Sequence, residues 1–221
     1  SEAIHSGVDL LAAVIALFAV KTSNKVADAE HPFGHGKVEN ISGTVEALLI
    51  FLAAGWIIYE AAHKLLAPEP LEAVGWGVGI MLVSSVVNLG VSELLFKVGR
   101  ETDSVALQAD AWHLRTDVYT SAGVMVGLGL ILLGQWFLPG TNLLWLDPVA
   151  AIAVALLITR AAWTLTKQSG RDLMDASLPV DEIAWIRQRL NGLAPAVRGF
   201  HHLRTRKAGA ARFIEFHLVV D

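Results

Sequence analysis

The sequence predicts an α-helical protein with several membrane-spanning helices, followed by a small C-terminal α/β domain. Of its 221 residues, 54% are hydrophobic and only 17% are charged, whereas ordinary soluble domains carry about 25% charged residues. The long uncharged stretches lie within residues 1–168, and residues 169–221 have the composition of a small soluble domain. We therefore expect a transmembrane domain over 1–168 and a cytoplasmic domain over 169–221.

Five apolar stretches are long enough to cross most or all of a bilayer as helices, which rise 1.5 Å per residue. They are residues 3–21, 41–62, 71–98, 104–138 and 144–165. Pro68 and Pro70 break the chain before the third stretch. Gly-x-x-x-Gly spacings at residues 75–79 and 123–127 would permit close helix contacts.

Positive charges lie in alternate loops, and this bias marks the side that faces the cytoplasm. The charged residues on that side are Lys21, Lys25, Lys37, Lys97, Arg100, Lys167 and Arg171. The first stretch must then enter from outside, so a cytoplasmic N-terminus would need one more span before Ser1. Five spans plus this one make six. The apolar start of the chain and its strand-like end at Asp221 agree with this count, and we predict that the sequence is a fragment of a six-span protein.

The C-terminal part predicts a helix and a β-hairpin. Ile183, Ile186 and Leu190 recur at helical spacing after an acidic first turn. Residues 200–207 and 211–220 are typical of two strands, joined by a three-residue loop centred on Gly209.

A hairpin centred on Gly209 places His201 opposite His217, with His202 and Asp221 nearby. Two imidazoles that are cross-strand neighbours could share a metal ion. Surface histidines without a metal are the alternative interpretation of this pair.

Two His-x-x-x-Asp pairs form the main candidate site. The sequence has no cysteine, so any metal must bind through His, Asp or Glu. His5 with Asp9, and His113 with Asp117, have the four-residue spacing that puts both side chains on one face of a helix. Two nitrogens and two carboxylate oxygens from two helices suit a tetrahedral divalent cation, zinc first among the candidates.

Other interpretations of this quartet stay open. An intramembrane histidine can form a hydrogen bond between helices, and Asp117 could pair with Arg115. Asp110, one turn before His113, could orient the imidazole without binding the metal. Ionisable groups within a membrane are nevertheless costly and usually functional, which favours a metal site.

Asp28, His31 and His35 form a second candidate site, within the polar loop expected from Thr22 to Asn40. Three potential ligands fall within eight residues, and neighbouring glycines allow the backbone to wrap around an ion. A solvated polar turn is an equally good interpretation of this stretch.

Other functions find little support in the sequence. A net charge of −4 gives no basic surface for nucleic acid. The sequence has no glycine-rich phosphate loop, no Gly-x-Ser-x-Gly elbow and no His-Glu-x-x-His motif. An intramembrane metalloprotease would need a general base beside its metal, and Glu46 is the one candidate we can name. We therefore do not expect an enzyme.

These features together resemble the cation diffusion facilitator family of divalent-cation exporters. The motifs that carry the resemblance are His5-x-x-x-Asp9, Asp28-x-x-His31-x-x-x-His35-Gly-Lys37-x-Glu39, His113-x-x-x-Asp117, Asp172-Leu-Met-Asp175, Leu178-Pro179, His201-x-Leu-Arg-Thr-Arg206 and His217. The resemblance implies a fold of six transmembrane helices, the first missing from this sequence, with a ferredoxin-like cytoplasmic domain, here incomplete. It also implies a homodimer.

The resemblance implies a role for each candidate site. The implied transport site is His5, Asp9, His113 and Asp117; the loop site is Asp28, His31 and His35; the cytoplasmic-domain site includes His201 and His217. Further ligands of the last site would lie beyond Asp221. Lys37 and Asp175 match positions that form a charge pair joining the membrane and cytoplasmic parts at the dimer interface.

The expected function is proton-coupled efflux of divalent cations from the cytoplasm by alternating access. Zinc is the first candidate and ferrous iron the second, because His5 replaces a carboxylate found in some bacterial relatives and imidazole favours zinc over manganese or cadmium. The expected location is the bacterial inner membrane, with the C-terminal domain in the cytoplasm. A membrane metal sensor or scaffold that does not transport is the alternative.

Overall fold

The computed structural model describes residues 2–67, 76–137, 143–193 and 197–220, without the side chains of residues 2–6, 8, 76, 77 and 135. Six helices and two strands are present in these residues. In chain order they are α1 (Glu2–Ser23), α2 (Lys37–Leu66), α3 (Trp76–Glu101), α4 (Val105–Phe137), α5 (Leu146–Leu173), α6 (Val180–Asn191), β1 (Gly199–Ala208) and β2 (Ala211–Val219).

The five long helices correspond to the five apolar stretches found in the sequence. Most ends agree within four residues; the expected residues 71–75 lie outside the described part. The main difference is α5, which continues to Leu173 instead of ending at 165. Hydropathy marks where the apolar run stops, whereas polar residues with adequate helix propensity extend the helix beyond it. For the same reason the polar loop is shorter than expected and covers only residues 24–36.

Membrane crossing is supported for four of these helices. Within the described residues, the segments long and apolar enough to cross a membrane are Lys37–Leu66, Val78–Glu101, Val105–Gly134 and Leu146–Leu173. The first side chains of α1 lie outside the description, so its crossing stays a prediction. Large apolar side chains such as Leu52 and Val86 are exposed on the outer helix faces, where they would contact lipid tails. The chain is thus a polytopic helical membrane protein.

The buried centre of the bundle lies where α2 packs against α5 and α4. Small residues let these helices approach closely. The buried cluster consists of Ala47, Ile50, Ala54, Ala109, Ile158, Ala162 and Leu165.

The close helix contact expected at the two Gly-x-x-x-Gly spacings is confirmed for residues 123–127 and not for residues 75–79. A Cβ placed on Gly123 would lie 2.6 Å from Cγ2 of Val154, so α4 touches α5 at this glycine. A Cβ on Gly127 would lie 3.3 Å from Cα of Asp147. Gly79 has no such neighbour within 4 Å, and its partner glycine lies outside the described residues.

β1 and β2 form the antiparallel hairpin that the sequence predicts, but its loop differs. Ala208 pairs with Ala211, so the loop has two residues and the three-residue prediction was wrong. Regular pairing continued back from this two-residue loop would place His201 opposite Leu218. A β-bulge between His201 and Arg204 shifts the register by one residue, and His201 pairs with His217 as predicted.

The hairpin tip lies against the end of the helical bundle. The Asn40 side chain donates a hydrogen bond to Asp172 (3.1 Å) and accepts one from the backbone N–H of Gly209 (3.1 Å). Lys207 pairs with Asp103, in the turn between α3 and α4, at 2.6 Å. The start of α2, the α3–α4 turn and the end of α5 therefore share one end, as the charge bias predicts.

Candidate metal centres

The first centre lies between α1 and α4. Asp9, His113 and Asp117 each offer one ligand atom, and these atoms all lie within 4.8 Å of one another. Nε2 of His113 is 3.2 Å from Oδ1 of Asp9. This contact joins residues 104 positions apart, so helix packing creates it. The side chain of His5, one turn before Asp9, lies outside the described part of the chain.

His113 is well placed to act as a ligand because it is buried and only partly satisfied. The residue is 6% exposed, and its Nδ1 atom has no hydrogen-bond partner in the structure. Asp110 therefore does not orient the imidazole, contrary to that expectation. A buried imidazole beside two carboxylates fits a divalent cation that accepts nitrogen and oxygen ligands.

Arg115 has partners on α3. It donates hydrogen bonds to Glu93 at 2.6 Å and to Ser92 at 3.3 Å, and its guanidinium lies 5.2 Å from the ring centre of Phe96. These contacts join α3 to α4. These contacts differ from the pairing of Arg115 with Asp117 that was considered from the sequence.

The second centre is the loop between α1 and α2. The backbone N–H of His31 donates to Oδ1 of Asp28 at 2.7 Å, and Nε2 of His35 lies 3.4 Å from Oδ2 of the same carboxylate. The structure therefore brings all three predicted residues together. The hydrogen bond from the His31 backbone is the main reason that the pKa of Asp28 is lowered.

The loop centre is more open than the centre between α1 and α4. The side chains of Asp28 and His31 are about half exposed, whereas that of His35 is 12% exposed. The two imidazole rings lie with their centres 4.4 Å apart. Nδ1 of His35 is buried without a hydrogen-bond partner, and its Nε2 is the nitrogen that faces Asp28.

The third centre is on the hairpin and has one more histidine than expected. The ring centres of His201, His202 and His217 lie 5.1 to 5.2 Å apart, and their ligand atoms fall within 4.8 Å of one another. In a regular strand, neighbouring residues 201 and 202 would point to opposite faces. The bulge and the positive φ of His202 (55°) bring both rings together. For this reason the sequence analysis named His202 only as a neighbour of the pair and not as a ligand; two consecutive histidines were the available signal.

The loop centre also contacts the hairpin through aromatic groups. The rings of Phe33 and Phe213 meet edge to face at 5.7 Å. The guanidinium of Arg206 lies 4.3 Å from the Phe33 ring and 4.8 Å from the Phe213 ring, an arrangement that favours cation–π attraction. The loop and the hairpin are therefore in direct contact.

Lys37 and Asp175 form the ion pair that the resemblance implies, here within one chain. Their charged atoms are 3.0 Å apart, and Arg206 lies 3.2 Å from the same carboxylate oxygen. Lys37 also donates to the carbonyl oxygen of Leu173 at 3.2 Å. The pKa of Asp175 is lowered, chiefly by its hydrogen bond with Lys37.

Histidine and aspartate that meet between the long apolar helices of a membrane protein are typical of proteins that bind or move cations. Comparison with known families agrees with that class. Residues 1–174 match the cation efflux transmembrane domain, and residues 178–221 match the cytoplasmic domain of cation efflux proteins. The chain belongs to the cation diffusion facilitator family, whose members transport divalent cations.

Known proteins related to this chain span nearly all of it. An uncharacterized transporter of Synechocystis, sll1263, is 37% identical over 220 residues, which cover 100% of this chain and 69% of that protein. The cation-efflux pump FieF of Klebsiella pneumoniae is 33% identical over 221 residues, 99% of this chain and 70% of the pump. FieF of Shewanella oneidensis is 32% identical over 216 residues, 96% of this chain and 69% of the pump.

Proposed function

We propose that this protein exports zinc from the cytoplasm in exchange for protons, with ferrous iron as the second candidate. The observation that carries the proposal is the meeting of Asp9, His113 and Asp117 between α1 and α4. We include His5 as the fourth ligand because it precedes Asp9 by one helical turn. Two nitrogens and two oxygens then suit a tetrahedral ion.

Exchange for protons follows from the chemistry of imidazole. A histidine binds metal only when it is neutral, so protons and zinc compete for His5 and His113. Zinc that enters from the cytoplasm displaces protons, and protons that return from the other side favour its release. Alternating access of one site to the two sides couples both movements.

The remaining parts have supporting roles in this proposal. Residues 1–168 form the transmembrane domain and 169–221 the cytoplasmic domain, in the inner membrane of a bacterium. The loop site and the histidines of the hairpin bind cytoplasmic metal. Two chains associate as a homodimer through their cytoplasmic domains.

The test is zinc flux into proteoliposomes under an imposed pH gradient. Asp117→Ala removes one ligand, and Asp181→Ala is the matched control because Asp181 is exposed on α6, far along the chain from the transport site. We expect zinc uptake by the wild type and by Asp181→Ala, and its loss in Asp117→Ala. Undiminished flux in Asp117→Ala would refute the site, and flux independent of the pH gradient would refute proton exchange.

A metal sensor that does not transport is the second candidate. The observation in its favour is the exposed cluster of His201, His202 and His217, which can take zinc directly from solution. Tight zinc binding without any gradient-driven flux in the same vesicles would support the sensor over the exporter.

A further inference from the structure

Glu46 is a buried carboxyl group that the transport site does not use. It lies on α2 with 0% exposure, and neither carboxyl oxygen has a hydrogen-bond partner in the structure. Next to it, Ala47 belongs to the apolar cluster between α2, α4 and α5. An ionised carboxylate without donors would be very unfavourable in such surroundings.

Glu39, two helical turns earlier on α2, shows how this bundle supports a carboxylate. Glu39 is also buried, yet it accepts hydrogen bonds from Ser104 at 2.5 Å, from Ser23 at 2.7 Å and from the backbone N–H of Ala106 at 3.4 Å. These donors stabilise a negative charge. Among the described residues Glu46 has no equivalent donors, which favours its uncharged, protonated form.

Asp110 of α4 is close enough to Glu46 to act on it electrostatically. Asp110 lies one helical turn before His113 on the same helix. Ala47 and Ala109, which neighbour the two acids in the chain, belong to one buried cluster. Glu46 therefore lies where α2 packs against the helix that carries His113.

Two buried hydroxyl groups line the same interface on the cytoplasmic side of Glu46. Ser42 lies one turn before it, and Ser169 of α5 faces Gly43, whose Cβ position would be 2.8 Å from the serine oxygen. Neither hydroxyl has a hydrogen-bond partner. Glu39, Ser42 and Glu46 follow one another on α2 at three- and four-residue spacing, which puts these polar groups on one face of the helix.

We propose that Glu46 is a second proton-binding site, which releases its proton when a divalent cation occupies the transport site. The inference rests on the proposed function. The positive charge of the cation stabilises ionised Glu46 across the low-dielectric interior, so the O–H bond breaks and the proton passes to water. Glu46 thereby adds to the protons displaced from the imidazoles.

The experiment counts protons released per zinc bound by the full-length protein in weakly buffered detergent. Glu46→Gln keeps the size of the side chain but cannot release a proton. Glu60→Gln is the matched control, because Glu60 lies on the same helix but its side chain is 54% exposed beside Lys64. We expect Glu46→Gln to release up to one proton fewer per zinc than the wild type, and Glu60→Gln to match the wild type.

Unchanged proton release by Glu46→Gln at full zinc occupancy would overturn the proposal while leaving the transport site intact. A wild type that binds no zinc would instead refute the proposed function, and this inference with it. Infrared difference spectra of the wild type give a measurement that does not need the glutamine variant to fold. Zinc should remove a protonated-carboxyl band, which Glu46→Asp should shift; a spectrum without that loss also overturns the proposal.

Discussion

The carbonyl oxygen of Gly36 lies 2.7 Å from the position that a Cβ on Gly209 would occupy. In the reverse direction, a Cβ on Gly36 would overlap the carbonyl group of Ala208. The hairpin tip and the start of α2 thus pack backbone against backbone. Because backbone atoms cannot rotate away as a side chain can, this contact requires glycine on both sides.

Gly36→Ala should separate the hairpin from the membrane domain. The φ of Gly36 is −55°, which alanine adopts without strain, so the effect comes from the steric clash alone. We expect a loss of about 1–3 kcal/mol in the stability of the docked hairpin. Hydrogen exchange of the hairpin amides in detergent measures this loss of stability as a loss of protection.

Gly170→Ala is the control for this substitution, because a Cβ at Gly170 would meet no neighbour within 4 Å. It should leave hairpin protection unchanged. Equal protection in Gly36→Ala and the wild type would show that the tip does not need this close contact.

Asp103→Asn should weaken a second contact of the hairpin. Asp103 pairs with Lys207 at 2.6 Å and with Arg212 at 2.8 Å. Its φ is +54°, a conformation that asparagine tolerates, so the turn is kept and only the charge is lost. We expect a cost of about 1 kcal/mol that shrinks at high salt. Thermal unfolding at low and high ionic strength checks it.

Glu101→Gln, which neutralises an exposed acid two residues earlier, is the matched control. It should show neither the loss nor its salt dependence. Arg212 would keep its bond to Glu182, at 2.6 Å, in both variants. A salt-independent loss in Asp103→Asn would point to packing instead of charge.

His202→Gly should weaken zinc binding by the cytoplasmic domain while keeping the hairpin register. Glycine adopts the positive φ of this position readily, so the bulge and the pairing of His201 with His217 remain. Loss of one of three imidazoles should lower zinc affinity by about tenfold or more. Calorimetric titration of a full-length variant that lacks one ligand of each other centre (Asp28→Ala with Asp117→Ala), with and without His202→Gly, isolates this site.

His202→Val tests the bulge itself, because a β-branched residue disfavours positive φ. It should lower affinity further by moving His201 away from His217. Arg204→Ala, at an exposed neighbouring position, should leave affinity unchanged. If the His202→Gly variant binds zinc with wild-type affinity, the His202 ring is not a zinc ligand.

Acid should disorder the loop centre through Asp28. Its pKa is lowered from 3.8, first by the hydrogen bond from the His31 backbone. A carboxyl group whose pKa is lower in the folded loop stabilises that fold above 3.8, and the contribution is lost as the pH falls through the lowered value. Once corrected for the intrinsic pH dependence of amide exchange, exchange of the His31 amide should therefore be constant near neutral pH and rise only in this acidic range.

Asp28→Asn separates charge from hydrogen bonding in that loop. Asparagine keeps an oxygen acceptor for the His31 amide but carries no titratable proton. The acid-dependent rise in exchange should disappear in the variant. If it persists, another group controls the loop.

The membrane helices could be located from the sequence because each is long and apolar enough to be recognised alone. The pairs His5/Asp9 and His113/Asp117 were likewise visible, since a four-residue spacing puts two side chains on one helix face. The hairpin was found from strand-like residues around Gly209. These are local properties, which neighbouring residues determine without reference to the rest of the chain.

Contacts between distant residues were not visible in the same way. The sequence placed His201 opposite His217 through a loop of the wrong length, and a bulge restored the register. The bulge also brought His202 into the cluster, against the alternation expected of a strand. Glu39 has hydrogen-bond donors and Glu46 has none among the described residues, because different side chains face the two acids from other helices.

The sequence by itself determined the class of protein, the apolar helices and the residue types that can bind a cation. The tertiary structure decided that Asp9 of α1 meets His113 of α4, that the hairpin tip packs on Gly36, and that Glu46 is left without donors. Helix formation and hydropathy act over a few turns of chain. Close packing and electrostatic pairing instead depend on which distant segments the fold brings together.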